Sequence, residues 1–254
     1  MGYSPFGVRL WRLLSHRRRT FATSIEHMRA NLARKAGVSS AELAAVMTGG
    51  ASPSPDLVGK LAPALDIRTA DLFVIAGLPV PDELASAWPT SPRDVGSILR
   101  AALSMNAKQR SQLEALVRSL PVQPRTESAP ADDLLDTPGA LLVRLLRNRN
   151  IRPRPYIAWL LNAVGDGPYV SDSTIAQLGT GRVVITPQYV TAFAYLLGYR
   201  PGDVVALTGV GPVVEGARVH PEHAEIAALA WRARQLSSDQ LSYVIAEAQT
   251  IRSA

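Results

Sequence analysis

Residues 29–49 of the chain read RANLARKAGVSSAELAAVMTG. Apolar residues recur at helical spacing on both sides of the triplet Gly37-Val38-Ser39. The triplet combines a glycine that ends a helix, an apolar residue that packs under the turn, and a serine that caps the next helix. The second helix is short, because Gly49 follows Thr48. The stretch therefore predicts two helices joined by a tight turn, the helix-turn-helix arrangement.

A similar stretch occurs a second time, as part of a longer repeat. A shift of 132 positions lays residues 6–80 on residues 138–212 without a gap. Chance does not hold an ungapped register through several helices, so the sequence predicts a tandem pair of one domain, and a repeated domain suggests a ligand that is itself repeated. The identical pairs include Gly7 with Gly139, Arg17 with Arg149, Gly49 with Gly181, Pro55 with Pro187, Arg68 with Arg200, Asp71 with Asp203 and Gly77 with Gly209.

Composition favours an all-α fold. Hydrophobic residues make up 47% of the 254 residues but aromatic residues only 6%, so the cores must be built from Leu, Val, Ile and Ala. That bias suits helices packed on helices. The absence of cysteine excludes disulfides and thiolate metal sites and fits a reducing cytoplasm. No apolar run is long enough for a membrane helix, so we expect no membrane partner.

The helical pattern predicts five helices in each copy, followed by a helical pair. The trailing pairs fall near 92–105 and 107–120 in the first half, and near 222–235 and 238–252 in the second. Each pair has an apolar face, which we expect to pack on the other pair or on its own domain. The predicted boundaries are a first domain at 1–120, a Pro-rich linker at 121–136 and a second domain at 137–254.

Residues 29–49 resemble the helix-turn-helix motif of the phage-repressor-like (XRE) DNA-binding family. The likeness rests on the Leu32-Ala33 pair, the Gly-Val-Ser turn, the apolar Leu43 and the closing Gly49. It extends over residues 6–78 and 138–210, and LRNRN at Leu146–Asn150 is similar to the actinobacterial type with two tandem motifs. The resemblance implies repressor-like five-helix domains that bind double-stranded DNA sequence-specifically and regulate transcription. It also implies a cytoplasmic, nucleoid-associated protein.

In such a motif the second helix enters the major groove. Val38, Leu43 and Val46 would hold it in the first copy, and Val170, Ile175 and Leu178 in the second. The outward positions of the first copy offer few hydrogen-bond donors, whereas Gln177 of the second could bond adenine through two hydrogen bonds. The candidate base-reading residues are Ser40, Ala41, Glu42, Ala45, Ser173, Thr174 and Gln177.

The charge of the chain also favours a polyanionic partner. The net charge is +6, and residues 1–120 hold 15 of the 27 Lys and Arg but only 9 of the 21 Asp and Glu. Basic clusters recur at the end of the first helix of each copy, which is consistent either with phosphate contacts or with a solvated helix C-terminus. The candidate phosphate-binding residues are Arg17, Arg18, Arg19, Arg147, Arg149, Arg152, Arg154 and Arg182.

Three hypotheses about function follow. The first is a DNA-binding regulator that acts as an intrachain pseudo-dimer, although a homodimer or another protein partner stays open. The second is a helical protein-interaction scaffold with weakened DNA binding, which the bare recognition helix of the first copy supports. The third, an enzyme, is disfavoured because no catalytic set of residues recurs between the copies. We expect no cofactor and no metal.

Overall fold

The computed structural model describes residues 5–21, 24–87, 94–123, 134–152 and 156–253, with the side chains of residues 19–21 excepted. Within these ranges the chain forms fourteen α-helices, one short 3₁₀ turn at Asp82–Leu84 and no strand. The all-α prediction is therefore confirmed. No helix of the described ranges has both the length and the hydropathy needed to cross a membrane.

Each copy of the repeat contains five helices, and the second to the fifth begin at positions related by the same shift of 132. In the first copy they are α1 Pro5–Phe21, α2 Ile25–Ala36, α3 Ser40–Thr48, α4 Pro55–Ala64 and α5 Thr69–Ala76. In the second copy they are α8 Pro138–Arg147, α9 Ile157–Gly165, α10 Asp172–Gly179, α11 Pro187–Leu197 and α12 Pro201–Thr208.

Corresponding helices pack in corresponding ways. In both copies the first helix contacts the third, the second contacts the third and fourth, and the fifth contacts the first and fourth. The glycines Gly7 and Gly139 explain one of these contacts. A Cβ on Gly7 would lie 2.6 Å from the carbonyl oxygen of Val46, and a Cβ on Gly139 would lie 2.5 Å from that of Leu178. Glycine at this position lets the first helix approach the backbone of the third closely.

The trailing helices pair across the two halves. They are α6 Val95–Ala102, α7 Ala107–Ser119, α13 His223–Ala233 and α14 Ser238–Ser253. Both α6 and α7 contact both α13 and α14, so of the two arrangements expected the pairs pack on each other, and α13 also packs on α11 of its own copy. The contacts are reciprocal: Gln109 Nε2 donates to the carbonyl of Ile251 at 3.0 Å, and Gln240 Nε2 donates to that of Pro121 at 2.8 Å.

The core is continuous between the halves. Buried residues of both copies and of both trailing pairs belong to one hydrophobic cluster. The helices α1 and α12 pack on each other across the halves, as do their repeat equivalents α8 and α5. The predicted boundaries at 120 and 137 therefore separate stretches of sequence that share one core, and residues 124–133 of the predicted linker lie outside the described ranges.

Candidate nucleic-acid interface

The turn between α2 and α3 is built as the sequence predicts. Gly37 ends α2 in the left-handed conformation with φ of 65°. The Ser39 hydroxyl accepts a hydrogen bond from the backbone nitrogen of Ala41 at 3.2 Å, which caps α3. Leu43 and Val46 are buried, so they fix α3 against the domain. Its other face is polar or small and carries no cation: Ser40, Ala41 and Glu42 are exposed, and Ala45 is half-buried.

The second copy presents a more polar helix. Ile175 and Leu178 are buried and hold α10 in place. Asp172 Oδ1 accepts from the backbone nitrogen of Ala158 at 2.9 Å, which ties the start of α10 to α9. Gln177 is exposed and its amide makes no hydrogen bond within the described residues, so it is free to bond a ligand.

The hydroxyls of Ser173 and Thr174 on α10 lie within hydrogen-bond distance of another side chain. Ser171 Oγ lies 2.8 Å from Ser173 Oγ and 3.0 Å from Thr174 Oγ1. Ser173 is exposed and Thr174 half-buried. Each hydroxyl retains one acceptor or donor site for a base or phosphate, because a hydroxyl can both donate and accept.

The structure assigns Arg17 and Arg149 to a different role from the predicted one. Arg17 donates to both carboxylate oxygens of Asp203, at 3.1 and 2.8 Å, and Arg149 donates to both oxygens of Asp71, at 2.7 Å each. The two pairs are repeat equivalents that cross between the copies. Each arginine also donates to an equivalent carbonyl, that of Leu65 or Leu197.

These contacts correct the predicted phosphate set. Arg149 has no exposed surface, so it cannot reach a phosphate. The side chain of Arg17 is 19% exposed, and each of its three nitrogens donates to Asp203 or to the carbonyl of Leu65. Both arginines join the halves, and the reciprocity is that of an isologous interface, in which residue i contacts j and j contacts i.

The Arg149–Asp71 pair lies in a polar cluster that excludes water. Asn148 Nδ2 donates to Asp71 Oδ1 at 2.7 Å, and the Tyr199 hydroxyl also donates to Asp71. Burial alone would raise the pKa of Asp71, but the charge of Arg149 and these hydrogen bonds bring it below its usual value. Burial beside Asp71 raises the pKa of the Tyr199 hydroxyl well above its ordinary value, so the tyrosine stays a neutral donor.

The remaining phosphate candidates differ in their placement. Arg18 and Arg182 are exposed, so they stay available to a polyanion. Arg147 and Arg152 are half-buried, and both have interactions within the protein. The side chain of Arg19 and the whole of Arg154 lie outside the described residues.

The sequence contained the signal for the interface between the copies. Arg17 and Arg149 recur together with Asp71 and Asp203, and two opposite charges conserved at the same repeat positions can pair either within a copy or between copies. Spacing along the chain does not distinguish these arrangements, so the sequence alone does not predict that Arg17 and Arg149 pair with carboxylates of the other copy. The described residues contain no cluster of three His, Asp or Glu side chains that could hold a metal ion.

Comparison with models of protein families, with curated proteins and with solved structures gave no significant match.

Proposed function

We propose that the chain binds double-stranded DNA sequence-specifically as an intrachain pseudo-dimer and regulates transcription. The observation that carries this proposal is the reciprocal pairing of Arg17 with Asp203 and Arg149 with Asp71. It relates the α2–α3 and α9–α10 pairs as the subunits of a symmetric dimer are related. Dimeric helix-turn-helix proteins present two recognition helices to successive turns of the major groove.

The two proposed recognition helices are unequal. Helix α10 has the exposed amide of Gln177 and is followed by the exposed Arg182, whereas α3 has the exposed carboxylate of Glu42. A carboxylate at the groove repels phosphates unless it accepts from a cytosine amino group. We therefore assign most of the base discrimination to α10, and we expect a bound site made of two unlike half-sites.

A protein-interaction scaffold is the second candidate. The observation in its favour is that large apolar side chains are exposed on α9 and in the segments before and after α10: Tyr169 is 92% exposed, Val184 82% and Trp159 43%. Exposed apolar surface marks a protein interface where it forms a contiguous patch. Binding of random duplex DNA that weakens steeply with salt would favour the DNA-binding hypothesis, and absence of such binding would favour the scaffold.

The first experiment selects bound fragments from a random duplex library and then measures affinity for the selected site. Replacing Gln177 by Ala should weaken binding by about 1–3 kcal/mol at one base pair and relax the preference there. Replacing Arg182 by Gln should weaken binding to all duplexes and lower the salt slope by about one.

The matched control is Gln112→Ala, which removes an exposed amide from α7 in the trailing region. It should leave the affinity and the selected sequence unchanged. One chain per bound site is expected from the mass of the complex. Two chains on a symmetric palindrome, or a selected sequence that the Gln177 substitution does not alter, would contradict the proposal.

A further inference from the structure

Three arginines surround the ring of Trp231 on α13. The guanidinium carbons of Arg234, Arg68 and Arg149 lie 4.0, 4.4 and 5.4 Å from the ring centroid. Such contacts are favourable, since the face of an aromatic ring is negative. They do not cancel three positive charges, however, and the cluster needs anionic partners.

Among the described residues, one carboxylate, that of Asp71, bonds to this cluster, and Arg149 takes it. Both oxygens of Asp71 are bonded to Arg149. Arg68 donates to the carbonyl of Leu197 at 3.3 Å, and Arg234 to Asn148 Oδ1 at 3.4 Å, so both have neutral partners. Burial and the repulsion of Arg149 and Arg68 lower the pKa of Arg234 to about 10, although Asp71 opposes the shift.

A cavity of about 360 Å³ opens beside this excess of positive charge. We name it the joint cavity, because Arg68 belongs to the first copy and the other walls to the second. Its polar walls are Arg68, Arg200, His223 and the tyrosines Tyr195 and Tyr199. The guanidinium of Arg200 is exposed and has no partner among the described residues. No acidic side chain of the described residues lines the cavity.

Acidic residues that lie next to the cavity walls in the sequence are paired with other cations. Asp203, at the start of α12, binds Arg17. Glu222 and Glu225, which flank His223, bind Arg110 at 2.9 and 2.8 Å. Among the described residues none of these carboxylates forms an ion pair with Arg68 or Arg200, so an anion from solution would meet two guanidinium groups that lack a bonded counterion.

We propose that the joint cavity binds a small organic anion, a carboxylate or a phosphate monoester. Arg68 and Arg200 hold its charged group, because a guanidinium can donate two parallel hydrogen bonds to either anion. Tyr195, Ala224 and Ala227 line the remainder of the joint cavity. They favour an anion whose uncharged part is compact and apolar or aromatic. Since the two arginines come from different copies, the bound anion links them and restrains the movement of one copy relative to the other.

The test uses isothermal titration of the full chain with phenyl phosphate, benzoate and benzyl alcohol. Phenyl phosphate and benzoate separate the two anionic groups, and benzyl alcohol is the uncharged control. We expect at least one of the two anions to bind with one molecule per chain, and benzyl alcohol not to bind. The proposal is overturned if neither anion binds below about 10 mM.

Matched variants locate the site. Arg200→Gln should weaken binding at least about tenfold, the effect of losing a hydrogen bond to a charged group. Arg252→Gln removes the same charge from an exposed position on α14 and should leave binding unchanged. Equal binding by both variants would place the anion elsewhere and overturn the proposal.

A third variant keeps all charges and fills the space. Ala224 is exposed on the first turn of α13 and lines the joint cavity, so Ala224→Leu should reduce binding without altering the arginines. Hydrogen exchange gives an independent readout: the bound anion should slow exchange of the first amides of α5, next to Arg68. These outcomes do not involve DNA, so they stand or fall separately from the proposed function.

Discussion

Both terminal nitrogens of Arg149 donate to Asp71 at 2.7 Å, and neither residue has any exposed surface. Moving two charges out of water costs several kcal/mol per ion, and their attraction offsets this cost only with good geometry and further hydrogen bonds. Asn148 and Tyr199 supply those bonds on the carboxylate. The positively charged side chain of Arg149 therefore stabilises the contact between the two copies and does not belong to a surface that meets a ligand.

Replacing Asp71 by Asn should lower the free energy of unfolding by about 3–5 kcal/mol, because it leaves the charge of Arg149 buried without a counterion. The matched variant is Asp203→Asn at the repeat-equivalent pair, whose side chains are 19% and 9% exposed. It should cost only about 1–2 kcal/mol, since water partly screens that pair. Urea denaturation measures both, and equal losses would contradict the distinction.

The same carboxylate predicts a pH dependence. The pKa of Asp71 is lowered in the folded protein, so its contribution is fully present above the pKa of the unfolded chain, about 3.9. It is lost as the pH falls through the lower pKa of the folded state. The difference in unfolding free energy between wild type and Asp71→Asn should therefore be constant from about pH 7 to 5 and shrink below about pH 4. A difference that persists at low pH would show that the charge of Asp71 is not the cause.

At the level of helices, the capping residues and the spacing of apolar residues are sufficient to predict the α2–α3 turn and its buried positions. Gly37 and Ser39 are the observed C-cap and N-cap around the turn, and Leu43 and Val46 are buried as their spacing indicates. The position of Arg17 could not be predicted in the same way. Its carboxylate partner lies 186 residues further along the chain, and periodicity within one helix contains no information about such a contact.

The close contact between α1 and α3 gives a test at this level. A Cβ on Gly7 would approach two backbone oxygens, those of Val46 and Met47, at 2.6 and 2.7 Å. Backbone atoms cannot rotate away, so Gly7→Ala should force the helices apart and cost about 1–3 kcal/mol. Thermal unfolding with a known enthalpy measures the loss.

Gly59 on α4 provides the matched control. A Cβ there would meet nothing within 4 Å, and the backbone is helical. Gly59→Ala should therefore stabilise the protein by about 0.4–1 kcal/mol, because alanine restricts the unfolded chain more than glycine does. If both alanine variants changed stability in the same direction, the contact at Gly7 would not govern the packing of α1.

At the level of the whole molecule, the two copies are joined by three reciprocal sets of contacts. The helices α1 and α8 pack on α12 and α5. One ion pair joins Arg17 of α1 to Asp203 of α12, and the other joins Arg149, just after α8, to Asp71 of α5. The trailing pairs α6–α7 and α13–α14 also pack together. Arg110 of α7 adds ion pairs to Glu222 and Glu225 at the start of α13. Among the described residues of the predicted linker, Pro121 accepts a hydrogen bond from Gln240 and Asp136 pairs with Arg9, and the three sets of contacts above lie elsewhere.

The chain should therefore hold together after that segment is cut. A protease site inserted near residue 128 allows cleavage of the folded protein, so neither half has to fold alone. After cleavage we expect the two fragments to elute together in size-exclusion chromatography and to separate only in denaturant, because the shared core does not depend on the peptide connection. If α3 and α10 bind DNA together, the cleaved protein should also bind duplex DNA with the affinity of the intact chain. Fragments that separate under native conditions would mean that the copies are independent domains connected by a tether. In that case the reciprocal ion pairs would contribute too little to fix the spacing of α3 and α10, and the expected pair of half-sites would lose its defined separation.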